Sequence, residues 1–556
     1  MLPPQAVSAH AIVLATLNAK YIHASLGLRY LLANMARHGG GDLRAQTVLR
    51  EFTIARPAQD IVDELLALNP QIIGFGVYIW NVTQTCEVVR LLKTARPDVK
   101  VVLGGPEVSH ETEQQDIVAL ADHVITGWGD VSFPKLCRAL LHGPQPLMKV
   151  IVGEQPPLDE IVLPYAEYSD ADLAHRLLYV EASRGCPFKC EFCLSSLDKT
   201  AWAFELDAFL AELDGLYRRG ARNFKFVDRT FNLKIDASLR ILQFFLDKLS
   251  EGQFSAGPPQ GKLAPSGGSA VREATSVGAG LFVHFEVIPD HLPDRLKEMI
   301  ARFPAGVLQF EVGIQSFNVE VQQRISRRQD NDKTEANLRW LVGRSQAHLH
   351  TDLIFGLPGE TLESFAEGFD RLHALGPHEI QLGILKRLRG TPIARHTAEH
   401  GMVYDTEPPY TVRQTAVVDA ATMQRFARLA RYWDLVANSG RFPASLILLL
   451  QGTSAFGDFL RFADWLWGST GETSGLTPER LVDALFDYLT GELSMDAAVV
   501  RQRLLADYLA SGARASPRSI RDLLPVRATP VPRAARTLAE RQDRHAATPA
   551  GSKIGA

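Results

Sequence analysis

Three cysteines between Cys186 and Cys193 are the residues of this chain best placed to do chemistry. The chain has five cysteines, and three of them cluster here at the spacing Cys-x3-Cys-x2-Cys, as Cys186, Cys190 and Cys193. Clustered thiolates are soft ligands that select zinc, copper(I) or iron–sulfur clusters. A closed zinc site would need a fourth cysteine or histidine nearby, and Leu194 to Asp198 supply none. Three thiolates on a four-iron cluster leave one iron open to a ligand.

The segment in front of these cysteines predicts where they lie. Residues 178–183 have the apolar pattern of a strand, and Arg184-Gly185 marks its exit into a loop. The cysteines are therefore expected at the C-terminal end of a strand, where α/β folds bind their ligands. A zinc knuckle and a disulfide pair are the two alternatives for this motif.

This motif in its strand–loop context resembles the radical S-adenosylmethionine (SAM) superfamily. The resemblance implies that Cys186, Cys190 and Cys193 ligate a [4Fe-4S] cluster whose open iron chelates SAM. Phe192, the aromatic residue before the last cysteine, also fits the family motif. Six strand patterns counted from Leu178 predict a partial (β/α)6 barrel over residues 177–398, with a mobile insertion at about 252–280.

The same resemblance assigns further SAM contacts to the ends of successive strands. Arg327 occupies a family position that pairs with the SAM carboxylate, with Arg328 as its alternative, and Asp352 is placed to accept both ribose hydroxyls. Asp228 has a second interpretation, as a strand-end residue that caps the following helix. The candidate SAM contacts are Phe192, Asp228, Glu286, Gln315 in the run Gly-Ile-Gln-Ser, Arg327 and Asp352.

Residues 1–150 alternate between continuously apolar strands and amphipathic helices, one of them predicted at 111–119, and this alternation predicts a doubly wound parallel sheet of the flavodoxin-like or Rossmann type. Three of its loops, at 78–81, 104–107 and 127–130, follow predicted strands. Glycines in such loops let the backbone approach a large planar or phosphorylated ligand closely. By themselves these loops also suit a generic nucleotide-binding or regulatory domain.

In front of a radical SAM core, these loops resemble the cobalamin-binding domain of B12-dependent radical SAM enzymes. The Asp-x-His-x-x-Gly motif, whose histidine coordinates cobalt in many B12 proteins, is absent from the sequence. His23 is a possible cobalt ligand, but we expect cobalamin to bind without a histidine of that motif. The candidate cobalamin contacts are Tyr78, Asn81, Gly104, Gly105, Pro106, Gly127 and Gly129.

The remaining segments are a proline-rich linker at 151–176, a mostly α-helical region at 399–511 and a flexible tail at 512–556. The helical region is rich in aromatic residues at core spacing. It resembles the helical C-terminal domain of unknown function found in one branch of the B12-binding radical SAM family.

Bulk composition limits the partners and the compartment. The chain has 556 residues and a formal net charge of −4, so no global basic excess points to nucleic acid. So few cysteines argue for a reducing compartment rather than a disulfide framework. Without a signal-peptide pattern or an apolar run long enough to span a bilayer, we expect a cytoplasmic protein with no membrane partner.

The resemblance implies a cobalamin-dependent radical SAM methyltransferase, in which SAM cleavage creates a substrate radical and the corrinoid donates the methyl group. One alternative is a rearrangement or cyclisation without methyl transfer, and another is a non-enzymatic corrinoid- or metal-binding sensor. Cys86 and Cys137 are too few for the second cluster of methylthiotransferases, and Ser195 stands where coproporphyrinogen-oxidase relatives have a further cysteine. We expect the substrate to be a small molecule or a peptide. A reductase or flavodoxin-type protein is the expected electron donor.

Overall fold

The computed structural model describes residues 10–198, 200–255, 280–513, 515–525 and 544–545. Its chain divides into two compact units, one with Met1–Arg229, Lys386–Arg395 and Tyr404–Thr411, the other with Thr230–Leu385, His396–Val403 and Val412–Ala556. The predicted insertion at about 252–280 and the predicted tail at 512–556 lie largely outside the described residues.

The described residues form sixteen strands and eighteen α-helices. The strands are β1 Ile12–Asn18, β2 Thr47–Thr53, β3 Ile72–Gly76, β4 Lys100–Gly104, β5 His123–Thr126, β6 Val150–Val152, β7 Leu178–Val180, β8 Ser183–Gly185, β9 Ala201–Ala203, β10 Asn223–Phe226, β11 Phe282–Val287, β12 Leu308–Gln315, β13 His348–Phe355, β14 Glu379–Ile384, β15 Val403–Tyr404 and β16 Val412–Gln414. The helices are α1 Leu26–Asn34, α2 Gly41–Ala45, α3 Ala58–Ala67, α4 Val82–Ala95, α5 Asp116–Leu120, α6 Ser132–His142, α7 Asp170–His175, α8 Leu206–Arg218, α9 Ile235–Ser255, α10 Asp294–Ile300, α11 Val319–Arg324, α12 Asn331–Arg344, α13 Leu362–Ala374, α14 Ala420–Val436, α15 Pro443–Leu449, α16 Ala455–Thr470, α17 Pro478–Asp487 and α18 Ala497–Ala510.

The first unit contains a parallel sheet with the strand order β2-β1-β3-β4-β5-β6. Strands β1 and β3 are buried along their whole length, as expected for a sheet covered by helices on both faces. This arrangement confirms the predicted doubly wound, flavodoxin-like fold. Because the strand order reverses between β1 and β3, a ligand crevice is expected at the C-terminal ends of these strands.

Two local features of this sheet differ from the sequence prediction. Residues 151–152, predicted to open the linker, lie in β6 and pair with β5. The helix predicted at 111–119 is wrong, because the regular helix in this region is the short α5. Glu111 has a left-handed φ of +52°, and its carboxylate is bound by Arg387 at 3.1 Å and by the Gly390 amide at 3.2 Å. These bonds hold a loop conformation where the sequence pattern favours a helix.

A buried group of four charges joins the first sheet to the linker. Arg29 donates to Glu51 at 2.8 Å and to Asp172 at 2.9 Å, and Arg176 donates to Glu51 at 2.7 Å. The side chains of Arg29 and Glu51 are only 2% and 6% exposed. Burial of ions is costly without partners, so each of these charges depends on the others.

Further parallel strands follow one another in the order of the chain, with β7 and β10 in the first unit and β11 to β14 in the second. Within the first unit β7 and β10 are parallel neighbours, and within the second unit β11 to β14 are parallel neighbours. This succession confirms the predicted partial (β/α)6 barrel. The structure adds an antiparallel pair, β8 and β9, on either side of the cysteines, which the sequence analysis missed.

The C-terminal helices α14 to α18 pack through aromatic side chains. Phe426 stacks on Phe355 of β13 with ring centroids 4.2 Å apart, and Trp433 meets Phe369 of α13 edge-on at 4.9 Å. Phe426 and Trp433 are buried, as predicted for core residues, whereas Trp467 is 38% exposed. Among the described residues, no helix combines the length and the apolar character needed to cross a membrane.

Replacing Arg29 with alanine tests the buried charge group. Arg29→Ala leaves Glu51 and Asp172 without their shared partner, and we expect it to lower the free energy of unfolding by about 3–5 kcal/mol. The matched control is Arg90→Ala, which removes an arginine that is 51% exposed and should change stability by less than about 0.5 kcal/mol. Urea unfolding of both variants measures the difference, and equal losses would contradict the importance of the buried group.

Candidate functional site

The cysteine loop is held by the antiparallel pair β8–β9, which ends immediately before Cys186. Gly185 has a φ of +85°, and a Cβ atom there would lie 2.3 Å from the Thr200 carbonyl oxygen and 3.0 Å from the Trp202 ring. Both the left-handed backbone and this close approach require glycine. The Arg-Gly-Cys sequence therefore makes a tight turn that delivers the first cysteine to the loop.

The three predicted cluster ligands follow that turn. Cys186 is buried, Cys190 and Cys193 are half-buried, and the Cys193 amide donates to the Cys190 carbonyl at 3.0 Å. Burial, assisted by the nearby thiols of Cys193 and Cys190, raises the pKa of Cys186 to about 11. The Cys186 thiol therefore needs a nearby cation to become a thiolate at neutral pH.

Cysteine pairing bears on one alternative interpretation of this motif. Among the described residues, Cys186, Cys190 and Cys193 form no disulfide. The three thiols are therefore available as ligands, as the sequence motif requires.

Arg184, immediately before this loop, is the centre of a buried ionic and aromatic group. Its Nε donates to Glu181 Oε1 at 2.7 Å, and its two terminal nitrogens donate to the Asp130 carboxylate at 2.9 and 3.2 Å. The guanidinium also lies over the rings of Tyr30 and Trp128, at 4.3 and 4.9 Å from their centroids. Although burial opposes the charge, these carboxylates hold the pKa of Arg184 well above its ordinary value. This group joins the loop after β5 to the start of the cysteine loop.

A cavity of about 400 Å³ lies at the C-terminal edge of the first sheet. A Cβ atom at Gly105, whose φ is +109°, would lie 2.5 Å from the Val77 carbonyl oxygen, and one at Gly74 would lie 2.6 Å from the Phe133 ring. Side chains at these positions would therefore clash with the Val77 backbone and with the Phe133 ring, so packing within the protein requires glycine at both. The glycines lining the cavity are Gly27, Gly74, Gly76, Gly104, Gly105, Gly127, Gly129 and Gly185.

Most of the predicted cobalamin contacts line this cavity, and two do not. Asn81 is buried elsewhere: its amide donates to the carbonyls of Leu17 at 3.0 Å and Gly76 at 3.1 Å, and its oxygen accepts from the Tyr78 amide. Asn81 thus fixes the backbone of a turn. Pro106 opens a short 3-10 turn and is not in the cavity wall. The predicted residues in the wall are Tyr78, Gly104, Gly105, Gly127 and Gly129.

No histidine is among the described residues that line the cavity. His23, the possible cobalt ligand, lies outside the wall with its Nδ1 2.8 Å from the Tyr179 hydroxyl. The part of the wall that comes from the first sheet consists mainly of glycines, apolar side chains and aromatic rings, with the charged Asp130 among them.

Asp228, at the exit of β10, is fully buried and binds the segment that leads to the cysteines. Its two oxygens accept from the Ser183 hydroxyl at 2.6 Å and from the Ala182 amide at 2.9 Å. Burial raises the pKa of Asp228 to about 7, against the lowering effect of these two bonds. The carboxyl fixes the strand before the cysteine loop, rather than capping the following helix.

In the second unit, the end of β12 carries a strained bulge. The pairing of β12 with β13 shifts between Gly313 and Gln315, and Gln315 has a left-handed φ of +69°. The Gln315 Oε1 atom is buried and accepts no hydrogen bond among the described residues. Backbone strain and an unused buried acceptor are both typical of ligand sites, so the Gln315 side-chain oxygen is suited to accept a hydrogen bond from a bound ligand.

Arg327 supports the same bulge. Its guanidinium donates to the Gly313 carbonyl and, at 3.0 and 2.8 Å, to the Gln329 side-chain oxygen. The side chain predicted to bind the SAM carboxylate is therefore anchored next to the strained end of β12.

The other two predicted contacts of this unit lie on neighbouring strands. Asp352 of β13 is opposite Gly313 in register, with Oδ1 3.6 Å from His350 Nε2. Glu286 of β11 is opposite Glu311 of β12. The structure thus places Glu286, Gln315 and Asp352 on successive parallel strands and the Arg327 side chain beside the end of β12. Phe192 and Asp228 belong to the first unit.

Glu360 is a buried acid that the sequence analysis missed. It is 1% exposed and accepts a hydrogen bond from the hydroxyl of Ser316, the residue after the strained glutamine. Burial raises the pKa of Glu360 to about 8, so the carboxyl is mostly protonated at neutral pH. Its place in the run Gly-Leu-Pro-Gly-Glu-Thr indicated a turn, where an acid is ordinarily solvated.

Comparison with family models divides the chain into three matched parts. Residues 12–137 match the B12 binding domain, residues 180–372 the radical SAM superfamily, and residues 398–535 a protein domain of unknown function, DUF4080.

Two curated relatives and one solved structure resemble the chain. An uncharacterized methyltransferase of Pyrococcus horikoshii is 31% identical over 252 residues, which are 40% of this chain and 53% of the relative. The cobalamin-dependent radical SAM methyltransferase TokK of Streptomyces tokunonensis is 25% identical over 370 residues, 60% of this chain and 49% of TokK. The alignments thus span about half the length of these relatives. The solved structure of OxsB, a cobalamin-dependent S-adenosylmethionine radical enzyme, aligns with 92% of this chain and with 83% of the OxsB chain. The two sequences are 14% identical over the alignment, and the TM-score of 0.58 shows a shared fold.

Replacing Gln315 with glycine tests the strained bulge. Glycine adopts a positive φ without cost, so we expect Gln315→Gly to raise the free energy of unfolding by about 1 kcal/mol while weakening SAM binding. Gln309→Gly, on the same strand but with an ordinary φ, is the control and should lower stability. Urea unfolding and equilibrium dialysis with SAM measure the two effects; lower stability in both variants would contradict the strain.

Glu360 gives a pH-dependent prediction. Because its folded-state pKa of about 8 lies above the unfolded value near 4.5, the folded protein holds more protons between these values. Stability should therefore fall as pH rises through this window, by up to about 1.4 kcal/mol per pH unit from this group. Glu360→Gln, which is neutral throughout, should flatten the fall. Unfolding midpoints measured from pH 5 to pH 8 test this, and an unchanged slope would contradict a buried neutral carboxyl.

Proposed function

Since this chain belongs to the radical SAM proteins that carry a B12-binding domain, we propose that it is a cobalamin-dependent methyltransferase acting on a small molecule or peptide. The observation that carries this proposal is one cavity with two kinds of wall. Glycine-marked loops of the first sheet form one wall, and the other contains Arg184, Gly185, Ser195 and Asp198, which flank the cysteines. A ligand in this cavity would be next to both the corrinoid loops and the cluster loop.

Each of the three cofactors of this family has a proposed set of binding residues in this chain. Cys186, Cys190 and Cys193 hold the [4Fe-4S] cluster, the residues at the ends of β11 to β13 hold SAM, and the glycine-lined cavity holds cobalamin. When bound, the cluster and SAM supply radical chemistry and the corrinoid supplies a methyl carrier. We infer that the cobalt is held without a histidine, against the glycines and apolar side chains of the cavity.

The protein contributes spacing and exclusion of water. The buried bonds of Arg184 to Asp130 and Glu181 fix the loop after β5 relative to the cysteine loop. Leu28, Leu31 and Phe133 give the cavity an apolar side that keeps water from a reactive centre. Methyl transfer, rather than rearrangement, is supported by the methyltransferase names of the curated relatives. The electron donor we propose is a reductase or a flavodoxin-type protein.

Anaerobic reconstitution tests the cofactor set. Protein reconstituted with iron, sulfide and hydroxocobalamin should hold roughly four iron atoms and one cobalt per chain, and should form 5′-deoxyadenosine from SAM after reduction. Cys190→Ala should abolish 5′-deoxyadenosine formation while leaving the cobalt content unchanged. Cys86→Ala, which alters a cysteine of the first sheet's helices, is the control and should behave as the wild type. SAM cleavage retained by Cys190→Ala would contradict the cluster assignment.

Methyl-labelled SAM distinguishes methyl transfer from the alternatives. Reduced, reconstituted protein incubated with labelled SAM and fractionated cell extract should produce a labelled small molecule or peptide. Formation of 5′-deoxyadenosine together with an unlabelled new product would favour rearrangement or cyclisation. Absence of 5′-deoxyadenosine despite a complete cluster would favour a non-enzymatic sensor.

A further inference from the structure

Asp198 is a charged residue of the cavity wall that the function described so far does not use. It follows the 3-10 turn Leu194–Leu197 that ends the cysteine loop, and its side chain lines the cavity together with that of Ser195. Ser195 and Asp198 are three residues apart, so a turn of this kind presents both to the same side.

The nearby guanidinium is already occupied by other acids. Arg184 directs Nε to Glu181 and both terminal nitrogens to Asp130, at distances of 2.7 to 3.2 Å. Arg184 therefore neutralises two carboxylates that line the same cavity, and Asp198 is a third. Asp198 lies near Arg184 and feels its charge, but it is not one of the carboxylates to which Arg184 donates hydrogen bonds.

The carboxylate of Asp198 has no hydrogen bond or ion pair with any residue that the structure describes, and neither does the Ser195 hydroxyl. Asp198 is nevertheless half-buried, and burial raises its pKa while the charge of Arg184 partly opposes the rise. A half-buried carboxylate beside a cavity gains most from a ligand that brings N–H donors.

We propose that Asp198, with Ser195 beside it, binds carboxamide N–H groups at the edge of the corrin ring. This inference rests on the proposed function, because it takes the cavity to be the corrinoid site. Cobalamin carries primary carboxamides around its ring, and these match a carboxylate acceptor next to a hydroxyl. The glycine-marked wall would then accept the flat face of the corrin, while the cysteine-loop wall would recognise its rim.

Absorbance titration with hydroxocobalamin tests the proposal without any need for turnover. Removing a charged hydrogen-bond acceptor costs about 1.5–3 kcal/mol, so Asp198→Ala should weaken corrinoid binding roughly 10- to 100-fold. Asp198→Asn, which keeps an oxygen acceptor but loses the charge, should lie between Asp198→Ala and the wild type. Asp63→Asn, an exposed residue of α3, is the matched control and should bind as the wild type does.

Singly hydrolysed cobalamins separate direct contact from a general disturbance of the loop. Each of these compounds has one carboxamide converted to a carboxylate, and the one facing Asp198 should bind the wild type poorly because two carboxylates repel. Asp198→Asn should bind that compound and hydroxocobalamin with much more similar affinities. A merely structural role for Asp198 would weaken all the corrinoids equally and would overturn the proposal.

The outcomes also separate this inference from the proposed function. Equal hydroxocobalamin affinity in the wild type, Asp198→Asn and Asp198→Ala would overturn the role of Asp198. That result would leave the corrinoid site itself in place. A wild-type chain that binds no corrinoid would overturn both. Iron content and thermal midpoint, measured on every variant, show whether the cysteine loop itself is intact.

Discussion

The buried guanidinium of Arg184 is the interaction on which the rest of the site depends. It is bound by Asp130, from a loop of the first sheet, and by Glu181, from the approach to the cysteines. Two carboxylates and the faces of Tyr30 and Trp128 offset the cost of burying its charge. Because one side chain makes all these contacts, the loop after β5 that lines the cavity and the loop that carries the three cysteines have a fixed spacing.

Backbone geometry supplies a second constraint, both at the cavity and at the end of β12. Gly185 turns the chain into the cysteine loop, and Gly105 lets the loop after β4 pass close to Val77. Gln315 adopts a similar left-handed conformation without being glycine, and the end of β12 is held by Arg327 and by the Ser316–Glu360 hydrogen bond. Strain is thus tolerated where buried polar groups over-determine the backbone, which is common at ligand sites.

Much of this architecture was predictable from sequence because its signals are local. Continuous apolar strands alternating with amphipathic helices indicated the doubly wound sheet, and the cysteine spacing with its preceding strand indicated the barrel. The glycines at 104, 105, 127 and 129 could be placed at the edge of the sheet because a loop after a parallel strand has a known place in the fold. Strand β6 was missed because three residues are too short for a periodic pattern.

The rest depends on contacts between residues distant in sequence. Asn81 was predicted to bind cobalamin, but its amide binds the backbone of β1 and β3, which no local pattern indicates. Arg184, Asp198 and Glu360 owe their importance to burial and to the presence or absence of partners. Sequence spacing does not reveal burial of single polar residues, so these assignments required the structure.

The central claim is that one cavity borders both the cluster loop and the corrinoid loops. Electron paramagnetic resonance of the reconstituted, reduced protein tests it most directly, because a reduced [4Fe-4S] cluster and cob(II)alamin are both paramagnetic. Close neighbours in one cavity should give signals split or broadened by magnetic coupling, and omitting either cofactor should restore the simple spectrum of the other. Two unperturbed signals that simply add would contradict the account.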